Sequence, residues 1–372
     1  MRTVPKLLFL VTEDWYFVSH RLALACAARV AGFDVVVATR CTEHAYLIER
    51  AGIRVVPFEL SRRSTHPLTL VKEVLRVIRL YRHERPDIVH HVALKPVVVG
   101  GLAARILGIH RVVSAIAGMG FLFVGEGRAA GIRGMLEWLL PKLIGRGIAI
   151  VQNPDDRKAL HDMGVAPGQI RIIPGAGVDI NHFSVCPEPQ GESVVMLPSR
   201  LLWDKGVAEF VAASRLLKSR GSNARFVLVG EPDPGNPASV TDAGLSSWVK
   251  EGVVERWGRR EDMPATLCAA HVVCLPSYRE GLPKVLLEAM ASGRPCITTD
   301  APGCRDAVRH GDNGLLVPVK DANALAEAIS RLLADPSERA RMGARGRERA
   351  VAEFSQERVN EATLAIYREL LS

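Results

Sequence analysis

The run Val272-Val-Cys-Leu-Pro-Ser-Tyr-Arg-Glu-Gly-Leu-Pro-Lys-Val-Leu-Leu-Glu-Ala-Met290 sets the architecture of this chain. Val272–Leu275 is a short apolar run of strand length. Gly281 then marks a turn, and Pro283 suits the first turn of a helix, where a missing N–H costs nothing. The helix is expected from Leu282. A buried strand passing through a short loop into a helix is the repeating unit of a parallel α/β sheet.

The same unit recurs on both sides. Upstream, strands are expected at Lys6–Val11, Asp34–Ala38, Val55–Glu59, Ile88–His91, Arg111–Ile116 and Ile148–Gln152. Helices are expected over Ser19–Val30, with Ser19 as its cap, and over Pro67–His83, ending before Pro86. The second half starts afresh with strands at Val194–Leu197, Arg225–Val229 and Cys296–Thr299, and helices over Val207–Ser219 and from Ala322. Strands alternating with helices imply parallel sheets wound by right-handed crossovers. Val185-Cys-Pro-Glu-Pro-Gln-Gly-Glu192 is polar and broken by prolines, which suits a linker. The expected architecture is two doubly wound, Rossmann-like α/β domains, residues 1–182 and 183–355, facing a central cleft. Residues 356–372 form a C-terminal helix free to return to the first domain. In such sheets ligands bind beyond the carboxyl ends of the strands.

Composition narrows the class. With 372 residues, 48% apolar and 24% charged, the chain is globular, which excludes disorder, collagen and coiled coil. Its formal charge of +8 is unevenly placed: residues 1–182 carry 24 Lys/Arg against 15 Asp/Glu, and the remainder 24 against 25. The surplus points to an anionic partner for the first half. The seven cysteines form no Cys-x-x-Cys pair and mostly lie in apolar runs, so reduced thiols are expected rather than a disulfide scaffold or zinc site. The apolar run Leu7–Val11 is too short for a signal sequence and is followed at once by Glu13-Asp14. No stretch approaches the roughly 18 apolar residues of a membrane span. A cytoplasmic protein, peripheral at the inner face of the membrane, is expected.

Two constellations carry chemistry. In the first, Glu280 and Glu288 flank a helix start whose backbone N–H groups, near Gly281 and Leu282, could face an anion. Two such carboxylates can grip sugar hydroxyls, since an ionised carboxylate accepts several hydrogen bonds. Ordinary surface glutamates on an amphipathic helix are the competing reading. In the second, Ser199-Arg-Leu-Leu-Trp-Asp-Lys-Gly206 follows the first strand of the second domain. Arg200 offers a planar fork and Lys205 a mobile point charge, a pair suited to diphosphate oxygens. Two solvated cations on a loop are the competing reading there.

Together these motifs resemble family 4 glycosyltransferases of the GT-B fold. Pro86-Asp-Ile-Val-His90, Ile173-Pro-Gly-Ala-Gly-Val-Asp179, Val229-Gly-Glu-Pro232 and Gly311-Asp-Asn-Gly-Leu-Leu-Val317 extend the resemblance over nearly the whole chain. The resemblance implies a retaining, metal-independent hexosyltransferase with a UDP-sugar donor and no further cofactor. It implies that Arg200 and Lys205 hold the diphosphate and that Glu280 contacts the donor sugar, assisted by amides near Gly281 and Leu282. Glu288 would bind the ribose, and Glu231 and the Arg259-Arg260 stretch would lie near the nucleotide. Neither an Asp-x-Asp nor a His/Cys ligand spacing argues for a metal.

The chain departs from the family in two places. A Gly-rich turn usually follows the first strand, where here a loop Thr12-Glu-Asp-Trp-Tyr-Phe-Val-Ser-His20 is expected. A family histidine near Ala117 is replaced by small residues, so His20, His90, His91 and Lys95 become substitutes. His91 and Lys95 are the preferred acceptor-side pair, since His-Val-Ala-Leu-Lys-Pro96 follows a strand's carboxyl end. The Val-Thr-Glu-Asp-Trp-Tyr-Phe opening and the His-His-Val-Ala-Leu-Lys-Pro segment resemble bacterial transferases that extend undecaprenyl-diphosphate-linked sugars. That implies a lipid-linked saccharide acceptor in surface glycan assembly, with an N-acetylhexosamine or hexose transferred.

Residues 60–110 hold nine basic residues, Arg62, Arg63, Lys72, Arg76, Arg79, Arg82, Arg85, Lys95 and Arg105, against three acids. The apolar run Gly118–Gly125 and the segment from Arg128 through Trp138 and Lys142 to Arg146 follow. Cations interleaved with apolar residues suit an anionic membrane surface. A buried helix with a solvated basic face is the competing reading. Nucleic acid is disfavoured, because no reader motif accompanies the charge and only 5% of residues are aromatic. Alternatives are a GT-B-type sugar-nucleotide epimerase, a transferase with a soluble acceptor, and a non-catalytic binding protein. A Rossmann dehydrogenase lacks its Gly-x-Gly-x-x-Gly after the first strand.

Overall fold

The computed structural model describes residues 4–61, 66–116 and 128–372, leaving aside the side chains of 128–133. Arg62, Arg63, Ala117 and the Gly118–Gly125 run lie outside the described residues, as do the side chains of Arg128 and Arg133. The chain divides into two compact units, Met1–Ala176 with Glu357–Ser372, and Gly177–Gln356.

The first unit runs β1 (Lys6–Glu13), α1 (Asp14–His20), α2 (Leu22–Val30), β2 (Asp34–Arg40), α3 (Ala45–Arg50), β3 (Arg54–Pro57), α4 (Pro67–Glu84), β4 (Ile88–Val92), α5 (Leu94–Leu107), β5 (Val112–Ala115), α6 (Arg128–Ile144), β6 (Ile148–Val151), α7 (Pro154–Asp162) and β7 (Ile170–Ile172). The second runs β8 (Val194–Pro198), α8 (Val207–Ser219), β9 (Arg225–Val229), α9 (Asp242–Lys250), β10 (Glu255–Gly258), α10 (Met263–Cys268), β11 (Val272–Leu275), α11 (Lys284–Ala291), β12 (Cys296–Thr299), α12 (Cys304–Ala307), β13 (Gly314–Val317), α13 (Ala322–Ala334) and α14 (Pro336–Phe354). A last helix, α15 (Gln356–Leu371), returns to the first unit.

Both sheets are parallel, as expected. The strand orders are β3-β2-β1-β4-β5-β6-β7 and β10-β9-β8-β11-β12-β13. Each order reverses once, between β1 and β4 and between β8 and β11, and the loops leaving those strands diverge to open a crevice at the carboxyl edge. Central strands such as β8 and β11 are buried on both faces, which is why they read as unbroken apolar runs.

Four expectations need correction. The loop expected after β1 is α1, and the helix expected from Ser19 is split, because Arg21 leaves helical geometry (φ −134°, ψ −12°). Buried Asp14 starts α1 and also accepts a hydrogen bond from the Thr42 hydroxyl at 2.7 Å, tying the end of β1 to that of β2. The glycine-poor turn is thus held by a carboxylate. The helix expected from Leu282 begins at Lys284, with Pro283 at its N-cap in extended geometry. The reduced-thiol reading fails for one pair, since Cys186 and Cys268 form a disulfide between the Pro-rich segment and the end of α10. The two are 82 residues apart and only the fold brings them together. That segment lies in the second unit, where Arg294 donates to the Pro187 carbonyl at 2.7 Å and Arg339 pairs with Glu188.

A buried charge cluster anchors the first unit. Glu84, at the end of α4, is 3% exposed and pairs with Lys6 of β1 at 3.2 Å and with Arg54 of β3. The Arg54 guanidinium holds the Glu84 carboxyl down at about 2, with Lys6 adding to the effect. Removing one member of such a pair strands the others, so Glu84→Ala should cost about 3 kcal/mol in urea unfolding at neutral pH. Because the folded value lies below the ordinary glutamate value of about 4.3, the stabilisation is complete above that pH. It is lost as pH falls from there toward about 2. The gap between the parent and Glu84→Ala should therefore narrow over that window; a gap independent of pH would show that Glu84 acts through packing alone.

Candidate functional site

The β8/β11 reversal in the second unit assembles most of the residues singled out in the sequence. The loop after β8 carries Arg200 and Lys205 and ends at Gly206, whose φ of +73° suits a residue without a side chain. A Cβ there would come within 2.2 Å of the Pro276 carbonyl oxygen, so the loop presses on the one that leaves β11. Tyr278 donates its backbone N–H to the Asp204 carbonyl at 2.9 Å and its hydroxyl to Glu209 at 2.8 Å. From beneath, Thr298 donates its hydroxyl to the Leu275 carbonyl at 2.6 Å, and Thr299 donates to that of Ser277.

These contacts bring Lys205 and Glu280 into an ion pair across the two loops, both side chains being mostly buried at 16% and 14% exposure. The turn holding Glu280 is cradled in turn. Glu280 donates its N–H to the Pro302 carbonyl at 3.0 Å. Gly303, at φ +81°, lies so close that a Cβ would sit 2.5 Å from the Glu280 carbonyl oxygen and 2.6 Å from that of Gly281.

The other residues stand around this pair with partners of their own. Arg200, about half exposed, reaches Asp233 at 2.9 Å. Glu231 follows Gly230 at the end of β9, pairs with Arg256, and accepts the Arg259 backbone N–H at 3.3 Å. The Arg259 side chain is exposed. Leu282 is buried, and Gly281 is half-buried ahead of α11. Glu288, one turn into α11, is 7% exposed and meets Lys284 at 3.2 Å, and burial raises its carboxyl above the usual range. Sequence reading missed Asp233, Arg256, Glu209 and Gly303. Gly303, in a Pro-Gly turn, and Asp233, in an Asp-Pro-Gly turn, carried a local signal.

In the first unit the expected acceptor-side pair is separated by burial. His91 lies in β4 with no exposed surface, and its Nε2 meets the Tyr81 hydroxyl at 2.8 Å. Gly100 of α5 clears the space, since a Cβ there would lie 2.5 Å from that nitrogen. Burial drives the His91 pKa down to about 3, which favours the neutral ring near pH 7. Lys95 is in the first turn of α5 and pairs with buried Glu73 at 2.7 Å, remaining 21% exposed. Among the substitutes, His90 is also fully buried, against Tyr367 of α15 at 2.6 Å, while His20 stacks on Tyr16 at 4.3 Å and is half-buried. Ala93, between β4 and α5, holds a positive φ of 73°, a strained geometry for a side-chain-bearing residue at the β1/β4 reversal. Among the described residues no cluster of three His, Cys, Asp or Glu could hold a metal ion.

Comparison with known proteins fits this division. Residues 6–143 match the family model for glycosyl transferase 4-like proteins, and residues 192–335 match that for glycosyl transferases group 1. The N,N'-diacetylbacillosaminyl-diphospho-undecaprenol alpha-1,3-N-acetylgalactosaminyltransferase of Campylobacter jejuni is 28% identical over 79% of this chain and 80% of its own. The UDP-Gal:alpha-D-GlcNAc-diphosphoundecaprenol alpha-1,3-galactosyltransferase of Escherichia coli is 28% identical over 72% of each chain. Among solved structures, Anabaena Alr3699/HepE in complex with UDP and glucose superposes with a TM-score of 0.78, at 21% identity and 97% and 98% coverage. Sucrose-phosphate synthase of Thermosynechococcus elongatus reaches 0.82, at 24% identity and 99% coverage of each chain. At these identities the structural likeness establishes the two-domain GT-B fold.

Proposed function

We propose that this chain, which belongs to the glycosyltransferases described by the group 1 and 4-like family models, moves a hexose or N-acetylhexosamine from a UDP-sugar to a polyprenyl-diphosphate-linked saccharide, with retention of anomeric configuration and without a metal. The observation that carries the reading is the Lys205–Glu280 pair, formed across the two loops at the β8/β11 reversal. Opposite charges held together there can each take a different part of one ligand. The ammonium turns to the diphosphate, and the carboxylate accepts hydroxyls of the sugar.

In the reaction the bond from the sugar C1 to the diphosphate oxygen breaks, a bond from C1 to the acceptor hydroxyl oxygen forms, and the hydroxyl's proton passes to the departing diphosphate. Negative charge collects on the departing diphosphate. Arg200, exchanging Asp233 for phosphate oxygens, and Lys205 stabilise that charge, with the amides near Gly281 and Leu282 assisting. Glu288 accepts the ribose hydroxyls, while Glu231 and Arg259 border the nucleotide. On the acceptor side Lys95 takes up the role first given to the His91–Lys95 pair, and His91 supports β4 from within. The undecaprenyl-diphosphate acceptors in the names of the Campylobacter and Escherichia relatives support a lipid-linked acceptor, and with it a place at the membrane face.

The test offers a panel of UDP-sugars with a short-chain polyprenyl-diphosphate sugar and reads product mass and anomeric configuration. One UDP-sugar should give a product one glycosyl unit heavier, with its donor configuration kept. Consumption of donor with no acceptor-dependent product, or interconversion of the UDP-sugar itself, would overturn the reading.

A further inference from the structure

Away from the donor chemistry, the turn that follows α11 places Arg294 against the Cys186–Cys268 disulfide. Arg294 is 3% exposed, and its guanidinium donates to the carbonyls of Pro187 at 2.7 Å, Cys268 at 3.0 Å and Leu267 at 3.3 Å. Its Nη2 also stands 3.0 Å from the Cys186 sulfur. From the same turn the Ser292 carbonyl accepts the Cys186 N–H at 3.5 Å. Glu188, whose charge also reaches Arg294, is held by Arg339 at 2.5 Å. Both half-cystines are half-buried, so solvent reaches the bond while the guanidinium behind it is enclosed. The other five cysteines have no guanidinium at hydrogen-bonding distance from the sulfur among the described residues. Cys274, Cys296 and Cys304 are buried, and burial pushes the thiols of the last two up to about 12. Cys26 is half-buried and raised by that burial, while Cys41 is exposed, its thiol raised by desolvation and by the charges of Asp14 and Glu49.

A sulfur beside a fixed cation is stabilised as the thiolate, and a disulfide that releases such a sulfur within reach of solvent is the exchangeable kind. We infer that Cys186 and Cys268 form a reversible thiol–disulfide exchange site for low-molecular-weight thiols, with Cys186 as the sulfur released against Arg294. To open it, an external thiolate attacks the Cys268 sulfur, and the electron pair of the breaking S–S bond passes to Cys186. A second external thiolate attacks the external sulfur of the mixed disulfide and frees Cys268. Two external thiols are thereby oxidised to one disulfide and the cystine is reduced. Of their two protons one goes to Cys268 and the other to solvent, leaving Cys186 as the thiolate. Closure is the reverse. In the open state the hydrogen bonds of Arg294 to the Pro187 and Cys268 carbonyls keep the two segments side by side, so the sulfurs remain placed to rejoin. The closed state adds a covalent tie between the Pro-rich segment and the end of α10, across 82 residues of chain. The inference is independent of the sugar or acceptor that the protein uses.

The test holds the full chain in glutathione buffers of graded thiol-to-disulfide ratio, quenches with acid, and maps free and bonded cysteines by alkylation and peptide mass. The Cys186–Cys268 bond should open in excess reduced glutathione and close again when glutathione disulfide is restored. In the reduced chain, limiting iodoacetamide at neutral pH should label Cys186 on the order of tenfold faster than the more exposed Cys41. Arg294→Gln should abolish that advantage. Should that variant fold poorly, Cys268→Ser keeps Arg294 in place and gives the same comparison of rates without any reductant. The closed form should unfold at a higher denaturant midpoint than the open one, and Cys186→Ser with Cys268→Ser should show the open form's midpoint in every buffer. A bond that stays closed in excess reduced glutathione would make the pair purely structural and overturn the inference. So would a pair that glutathione disulfide never closes, or a Cys186 labelled no faster than Cys41. None of these outcomes bears on glycosyl transfer, whose own test reads product mass.

Discussion

Lys205→Ala is expected to lower turnover by about 10²–10³-fold, the range seen when one preorganised group that stabilises developing negative charge is removed. The residue is mostly buried, its ammonium faces Glu280, and it lies on a loop pinned to the neighbouring one through Tyr278 and the Pro276 contact. Its cost of reorganisation at the moment of reaction is therefore small. Glu280→Gln is expected to lose a comparable factor, by removing a carboxylate that orders the sugar. The two effects should not add. Each single change already breaks the ion pair and frees the remaining group to misplace its half of the donor, so the double variant should fall well short of the summed free energies. Lys205→Arg, which keeps the charge and changes its shape, should recover part of the activity. The readout is kcat against a saturating UDP-sugar, beside unfolding by denaturant to confirm a parent-like fold. Turnover within threefold of the parent in Lys205→Ala would remove this residue from the chemistry, and full additivity would mean that the pair does not act as a unit.

Much of this was legible in the sequence, and what was not has a common cause. β8, β9, β11 and β12 were readable because a parallel strand covered on both faces is apolar throughout. Of the edge strands, β3 was legible at Val55–Glu59, whereas β7 and β10 mix charged and apolar residues, a pattern shared with loops. α1 was hidden because Glu13-Asp14 reads as a turn until Asp14 is seen to hold Thr42 across the sheet. Arg200, Lys205, Glu280 and Glu288 could be singled out because each belongs to a local motif. The Arg200–Asp233 and Glu231–Arg256 pairs and the Cys186–Cys268 disulfide join residues far apart in the chain. His91 shows the opposite limit. Its place at a strand's carboxyl end was read correctly, but the side on which β4 points it, toward Tyr81 and Gly100, is decided by the packing of α4 and α5.

Gly303→Ala is expected to damage the site through the turn that carries Glu280. Two penalties coincide at this position. A φ of +81° costs an L-residue about 1–2 kcal/mol. The new Cβ would also lie 2.5–2.6 Å from the carbonyl oxygens of Glu280 and Gly281, where real contacts do not occur. Backbone cannot swing aside as a flexible side chain does, so either the α12 turn or the Glu280–Gly281 turn must move. The α12 turn is held by Asp306, whose carboxylate accepts the Gly303 N–H at 2.9 Å, and by the Glu280 N–H donating to Pro302. The Glu280 turn is held by Lys205 and by Tyr278. A displacement of even an ångström separates Glu280 from a donor that must be gripped in one orientation, and misplacements of that size cost about 10²-fold. Gly303→Ala should therefore lose at least that factor in kcat, together with a measurable drop in the denaturant midpoint. A matched change at Gly311, which also has positive φ but open space around its missing Cβ, supplies the control. Gly311→Ala should show the midpoint drop from backbone strain and keep its turnover. If both variants lose activity alike, strain alone accounts for the loss and the contact with the Glu280 turn plays no part. If neither does, Glu280 is free to move without consequence and its assignment to the donor sugar fails.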